Sequence, residues 1–245
     1  MEVNNIYGIR AILEAIKAKK NLDKVWLLKG QKNPLFKELE FKLKKNNITF
    51  SYVPNERLER FQSKNHQGAV ASISPIVFDN LEEIISDNFS HKKYPIFLLL
   101  ENITDARNLG AIIRSASATG VTSIILPKTG SAPINSDTIK TSAGALFSVS
   151  ICKIDHIKDA IFLLQANNIN VISITEKSSN TIYEIDLKGP IALVMGSEEK
   201  GISKSILNTC DNSAKLPITG EISSLNVSVA CGAVLYEVIR QRSFS

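Results

Sequence analysis

Asn108, Gly110 and Arg114 fall within one short stretch, Glu101-Asn-Ile-Thr-Asp105-Ala-Arg-Asn108-Leu-Gly110-Ala-Ile-Ile-Arg114. It directly follows the apolar run Ile96-Phe-Leu-Leu-Leu100, which has the length of a strand. The carboxyl end of a strand is where open α/β sheets bind ligands. Here that place carries a carboxylate, two amides (Asn102, Asn108) and two guanidiniums (Arg107, Arg114). Such groups can hold an anionic or hydroxylic ligand and stabilise charge that develops on it. Gly110, in the helix that should follow, lets another backbone come close. Arg114, among Leu109, Ile112 and Ile113, needs an anionic partner or a route to water. A capped helix with a snorkelling arginine would use the same residues, and the segment alone does not choose between the two.

Two further polar clusters follow the same plan. Gly196-Ser-Glu198-Glu199-Lys200-Gly201 succeeds the apolar run Ile191–Met195, so charge and glycine again stand at a strand end. A charged surface turn would look similar. The third cluster, Leu216-Pro-Ile218-Thr-Gly-Glu-Ile-Ser-Ser224-Leu225-Asn226, is a long irregular segment studded with Leu and Ile. Loops of that length inside compact domains are usually functional. It leads into a helix whose early turns carry Ser228, Ala230, Gly232 and Ala233, small enough for close packing, and Ser224 or Asn226 can cap it. The glycine fingerprint of dinucleotide-binding proteins and the Walker-type phosphate loop are absent. His66, His91 and His156 form no motif, and no Ser-His-Asp or Cys-His arrangement stands out. A nucleotide-like ligand would have to be held by backbone groups and apolar loop side chains.

The elements that position these clusters can be read from periodicity. The pattern predicts an α/β unit over 1–75: helices on Ile9–Ile16, Leu35–Leu43 and Asn55–Gln62, strands at Val25–Leu28, Thr49–Val53 and Gly68–Ile73. Pro75 and the polar stretch that ends at Pro95 read as a connection, 76–94, with one helix around Leu81 and Ile85. From residue 95 to 245, strands at Ile96–Leu100, Ser123–Leu126, Ser148–Ile151, Asn170–Thr175, Ile191–Met195 and Ala214–Leu216 alternate with helices. Those helices are expected after Asn108 to about Thr119, over Ile154–Asn167 with Asn168 as cap, over Ser203–Thr209, and over Val227–Arg240. Alternation of this kind implies a mostly parallel sheet.

The chain has 245 residues, 44% of them apolar, which suffices for one large or two smaller domains. No apolar run reaches the length of a membrane span and the first residues lack signal-peptide character, so no membrane role is expected. Three scattered cysteines, Cys152, Cys210 and Cys231, fit a reducing cytoplasm and offer no metal spacing. The net charge of +5 is unevenly placed. Residues 1–75 hold 14 Lys+Arg against 7 Asp+Glu, whereas the remainder holds 15 against 17. A basic front module on a near-neutral body points to a polyanion, most plausibly nucleic acid; a solvated lysine-rich surface is the plainer alternative.

At the three clusters the sequence resembles the SpoU-type RNA ribose 2′-O-methyltransferases of the knotted SPOUT superfamily. Asn108, Gly110 and Arg114 match N-x-G-x-x-x-R; Gly196, Glu198 and Gly201 match G-x-E-x-x-G; Pro217-Ile218 through Ser224-Leu225-Asn226-Val227-Ser228 and Ala230 match the third motif. All three occur in order over about 150 residues. Tyr7-Gly8-Ile9 and His66-Gln67-Gly68 are similar to the small ribosomal-protein-like domain that some members carry in front, for binding substrate RNA.

The resemblance implies S-adenosyl-L-methionine as cofactor, held by Gly196, Leu216 and Leu225 with Met195, Ile218 and Ala230 beside them, and no metal. It implies a homodimer with sites near the subunit interface and a deep trefoil knot, which no periodicity reveals. The substrate it implies is RNA, with a guanosine of large-subunit (23S) ribosomal RNA the nearest match. Transfer RNA and a non-catalytic RNA-binding role are the alternatives. The reaction would be in-line attack of a ribose 2′-oxygen on the methyl group. The family account gives the arginine matching Arg114 the part of base, but a guanidinium with a reference pKa of about 12.5–13.8 is a poor base. Arg114 is therefore expected to bind the neighbouring phosphate and stabilise the developing alkoxide. Asn108 and Glu198 would orient Arg114 and the ribose, while Ser224 and Asn226 shape the loop and touch substrate.

Overall fold

A computed structural model describes residues 5–17, 19–31, 33–59, 65–74, 76–90, 94–222 and 224–243. Gln62, Pro75 and His91, all used above, lie outside them. The chain divides into two compact units, residues 1–77 with 133–136, and residues 78–132 with 137–245.

The first unit runs β1 (Asn5–Tyr7), α1 (Ile9–Lys17), β2 (Leu22–Leu28), α2 (Pro34–Lys45), β3 (Phe50–Val53), α3 (Asn55–Glu59) and β4 (Ala69–Ile73). Its sheet has the order β1-β4-β2-β3, with only β2 and β3 parallel. The helical stripes read from sequence are its core: Ile9 and Ile12 of α1 meet Phe36, Leu39 and Leu43 of α2 over Val25, Leu27, Ala69 and Ala71. Asn33 starts α2 by accepting from the Phe36 N–H at 2.8 Å, with Pro34 preset for the first turn. Strand β1 has three residues, too short to show any periodicity, and exists because β4 pairs with it. The described part of the expected 55–62 helix ends at Glu59.

The second unit begins inside the stretch expected to be a connection. Helix α4 (Leu81–Ser90) lies there, and Leu81 and Ile85 are buried in the core of this unit. The Asp79 N–H also bonds to Ile151 at 2.9 Å, so from Phe78 the chain is part of the fold rather than a linker; amphipathic spacing won over the polar composition of 88–94. There follow β5 (Ile96–Glu101), α5 (Ala106–Ala118), β6 (Ser123–Pro127), α6 (Ser136–Thr141), β7 (Ser150–Ile154), α7 (Ile157–Ala166), β8 (Asn170–Ile174), β9 (Ile191–Gly196), α8 (Lys204–Leu207), β10 (Asn212–Ala214) and α9 (Val227–Ser243).

The six strands form one sheet, order β10-β8-β9-β5-β6-β7, and every pairing is parallel. A parallel sheet covered on both faces needs strands that are apolar throughout, and Phe97 to Leu100 are fully buried. Three expected bounds shift. Strand β7 is two residues later than its expected start, α7 begins at Ile157, and β10 ends at Ala214. The last shift matters, because it leaves Leu216 in the loop rather than in the sheet. Asn168, expected to cap α7, follows the cap residue Asn167 in the left-handed region at φ 57°, which asparagine tolerates.

Candidate active site

The corner from β5 to α5 is built by Asp105. Its carboxylate accepts from the N–H groups of Arg107 at 2.6 Å and Asn108 at 3.0 Å, so the helix starts at Ala106, earlier than expected. Asn108 thus lies in the first turn and Gly110 in the second. A β-carbon at Gly110 would stand 2.8 Å from the Thr138 carbonyl oxygen and 3.1 Å from the Ser142 nitrogen, so glycine is what lets α5 lie against α6. The bonds from Asn108 and then Arg107 hold the Asp105 carboxyl below the usual carboxylate range. A depressed folded-state pKa gives stability that is present above the unfolded value and lost as pH falls through the folded one. Asp105→Ala should therefore cost about 1 kcal/mol at pH 7, roughly 2–4 °C in melting temperature. The gap from wild type should narrow in melts as pH falls below the usual carboxylate range; a gap unchanged at acid pH would refute the capping role.

A second helix start lies against this corner. The Asn226 Oδ1 accepts from the N–H groups of Ser228 at 3.0 Å and Val229 at 3.4 Å, capping α9. That fixes the amide: Nδ2 must point the other way, and it donates to Glu198 Oε1 at 2.6 Å and Asn108 Oδ1 at 3.0 Å. Glu198 Oε1 also accepts from the Val227 N–H at 3.0 Å, so its charge sits at the positive end of α9. Three residues far apart in sequence, one from each cluster, form a single hydrogen-bonded group. Glu101 supports the same edge by accepting from the Ser203 N–H at 2.9 Å, where α8 begins.

Two cavities open along the carboxyl edge of the sheet. The first, of about 300 Å3, lies past β8 and β9 and is lined by Met195, Gly196, Leu216, Ile218, Leu225 and Ala230, the six residues expected around a cofactor. Ser224 and Glu198 also reach it. Its far wall, Ile174 to Lys177, was not foreseen; β8 has its own strand end here, but no glycine or charged cluster of motif type advertised it. The second cavity, of about 350 Å3, lies past β5 and β6 and is lined by Asn102, Thr104, Asn108 and Gly130. The loop after β9 stands between them, and Ser197, Glu198, Glu199, Lys200 and Val227 belong to both walls.

Gly196 sets the shape of that loop. A β-carbon there would overlap the backbone carbon and oxygen of Gly201 and come 2.5 Å from the Ile202 nitrogen. The turn cannot yield easily, since the Gly201 N–H bonds to the Ser197 carbonyl at 2.8 Å and Gly201 itself has φ 62°. Gly196→Ala should cost about 1–3 kcal/mol in a denaturant melt and abolish ligand binding in the first cavity. Wild-type stability would show that the turn is slack.

Arg114 is not brought to this group. It is exposed on α5, lines neither cavity and has no hydrogen bond or ion pair among the described residues. Six residues separate it from Asn108, which puts it about 9 Å further along the helix and about 120° round its axis. The expectation that Asn108 and Glu198 orient Arg114 is therefore corrected: they orient each other and Asn226. The thiols take no part. Burial pushes Cys231 up to about 12 and Cys210 up to about 11, and the described residues contain no cluster of potential metal ligands.

Known proteins resemble this chain. The SpoU rRNA Methylase family model matches residues 95–236, and the model for RNA 2′-O ribose methyltransferase substrate binding matches residues 5–77. The 23S rRNA (guanosine-2′-O-)-methyltransferase RlmB of Pseudomonas aeruginosa is 34% identical over 242 residues, 97% of this chain and 96% of that protein. Its Escherichia coli K12 counterpart is 33% identical over 240 residues, 97% and 98% of the two chains. The crystal structure of the SpoU methyltransferase AviRb from Streptomyces viridochromogenes in complex with AdoMet has the same fold, with a TM-score of 0.62 at 23% identity over 97% of this chain and 90% of that one. With Asn108, Glu198 and Asn226 gathered at one sheet edge and each family match falling, apart from residues 133–136, within one of its two units, the chain belongs to the SpoU rRNA methylase family and is an RNA 2′-O-ribose methyltransferase.

Proposed function

We propose that this protein methylates the ribose 2′-hydroxyl of a guanosine in large-subunit ribosomal RNA, with S-adenosylmethionine as methyl donor in the first cavity. The observation that carries the reading is the hydrogen-bonded group Asn108–Glu198–Asn226 standing directly beside a cavity with apolar walls. The cavity fits the cofactor: Met195, Leu216 and Leu225 offer surface to an adenine ring, and Thr175 and Glu176 offer acceptors to a ribose diol. Bound there, S-adenosylmethionine supplies an electrophilic methyl group, so the protein need only place a nucleophile in line with it.

The residues then have distinct tasks. Asn226 cannot turn, because α9 holds its oxygen; it fixes Glu198 and Asn108. Glu198 Oε1 is fully used by these bonds, whereas Oε2 makes none among the described residues and is free to orient the attacking hydroxyl. Asn108 keeps its Nδ2, whose contact with Glu198 is a long 3.5 Å, to donate to the ribose. Positioning of this kind supplies most of the rate when reacting atoms are held about 3–3.5 Å apart. Arg114, which lines neither cavity, binds phosphate and stabilises the developing alkoxide where RNA is laid across α5 or a second copy carries it to a neighbouring cavity. A homodimer, the trefoil knot and a cytoplasmic setting belong to the same reading. The dimer is supported by Arg114 having no partner among the described residues, and by Val229 and Tyr236 of α9, the helix against which α5 packs, being 57% and 59% exposed. No described helix is long and apolar enough to cross a membrane.

The test is incubation with ribosomal RNA, transfer RNA and methyl-labelled cofactor, followed by nucleoside mass spectrometry. Labelled 2′-O-methylguanosine from the large ribosomal RNA is the expected product. Label in transfer RNA alone would move the substrate, and calorimetry without cofactor binding would leave an RNA-binding protein.

A further inference from the structure

The second cavity has no part in holding the donor, yet it shares its inner wall with the donor cavity. That wall is the loop Ser197–Lys200, and the two chambers lie side by side in sheet order, one past β8 and β9, the other past β5 and β6. Asn108 Nδ2 is at the wall. Beyond it the lining is polar: Asn102 and Thr104 come from the β5 end and Lys200 from the wall itself. Asn102 is unusual in two ways. It holds φ 57°, a left-handed conformation that few side chains other than asparagine accept, and its amide makes no hydrogen bond among the described residues. Opposite stands Gly130, where a β-carbon would lie 3.6 Å from Asn102 Oδ1; the bare glycine leaves that oxygen uncovered.

An amide whose donor and acceptor are both unused among the described residues can read the edge of a nucleobase. We propose that the second cavity seats the acceptor nucleoside, and that Asn102 is the residue that selects its base. This rests on the function proposed above. The ribose lies against the Asn108–Glu198 wall, within reach of the donor on the other side. The base lies beside Asn102, with Oδ1 accepting from the 2-amino group of guanine and Lys200 near the flanking phosphate.

Asn102→Gly is the variant to make, because glycine accepts the left-handed backbone and the turn survives. It should bind S-adenosylmethionine as wild type does and lose roughly tenfold or more in kcat/KM for RNA, the scale of one lost base-edge contact. Replacing the target guanosine by inosine, which lacks the 2-amino group, should slow wild type similarly but leave Asn102→Gly no worse than it already is. Equal kcat/KM of variant and wild type, or equal inosine penalties in both, would overturn the assignment. A wild-type protein that methylates no RNA would instead overturn the function on which it rests, and that result is read before any variant is compared.

Discussion

Asn226→Asp will keep the fold and lower methylation by about 10²–10³-fold, the cost of losing a preorganised donor at a reacting centre. The two halves of the asparagine amide do different work. Its oxygen caps α9, and aspartate caps as well as asparagine does, so the melting temperature should barely move. Its nitrogen donates at 2.6 Å to Glu198 and at 3.0 Å to Asn108. Aspartate puts an oxygen there, facing a carboxylate oxygen at hydrogen-bond distance. Two carboxylates so placed cannot both stay ionised without moving apart, and one of the pair takes up a proton more readily than usual. At neutral pH Glu198 should swing away and take with it the alignment of Asn108. As pH falls through the raised pKa of the pair, the shared proton restores a donor between the two oxygens. The variant should therefore recover part of its activity toward pH 5–6 while wild type does not gain, and the check is a pH profile of kcat at saturating cofactor. Full activity of Asn226→Asp at pH 8 would remove the network from the mechanism.

That network shows how much of the site was open to reading in one dimension. Asn108, Glu198 and Asn226 were each visible as a polar residue where a strand ends or a helix begins, and the motif spacing named all three. Their mutual bonding was not visible, because it depends on β9 lying beside β5 in the sheet, a neighbour relation that no local pattern encodes. The cofactor-side residues were legible for the same reason: Leu216, Ile218 and Leu225 are apolar residues in an irregular loop, which have no local reason to be there. The segment Ile174–Lys177 was missed since its strand end carries no signal beyond a threonine and two opposite charges. The parallel sheet was legible from continuous apolar runs, whereas β1 and α6 were too short to produce a period. In segment 76–94 the helix around Leu81 and Ile85 was legible, but not that these two residues tie it to the core of the second unit. Arg114 is the instructive failure. Motif spacing placed it with Asn108, but a six-residue interval on an α-helix turns the two side chains to different faces.

The consequence is a sharp expectation for Arg114→Ala: loss of turnover by at least about 10²-fold, on the scale of one transition-state contact, with cofactor affinity unchanged, because the side chain lines neither cavity. Arg114→Lys should recover little, since a single ammonium does not reproduce the planar two-pronged grip of a guanidinium on phosphate. Loss of cofactor binding in either variant would place Arg114 in the donor site instead. An exposed cation without a partner among the described residues, outside both cavities, can reach the reacting oxygen only if RNA is laid across it or a second copy carries it to a neighbouring cavity. Mixing separates these. Arg114→Ala protein retains an intact donor cavity, and Gly196→Ala protein, inactive by its blocked turn, retains Arg114. If the arginine serves the partner's cavity, mixed dimers assembled from two inactive parents regain methylation, the Arg114→Ala subunit binding the donor and the Gly196→Ala subunit supplying the guanidinium. If it serves its own, every mixed dimer has one subunit lacking the arginine and one lacking the cavity, and mixing restores nothing. Either result fixes where the charge acts, and the first makes association of two chains a condition of catalysis.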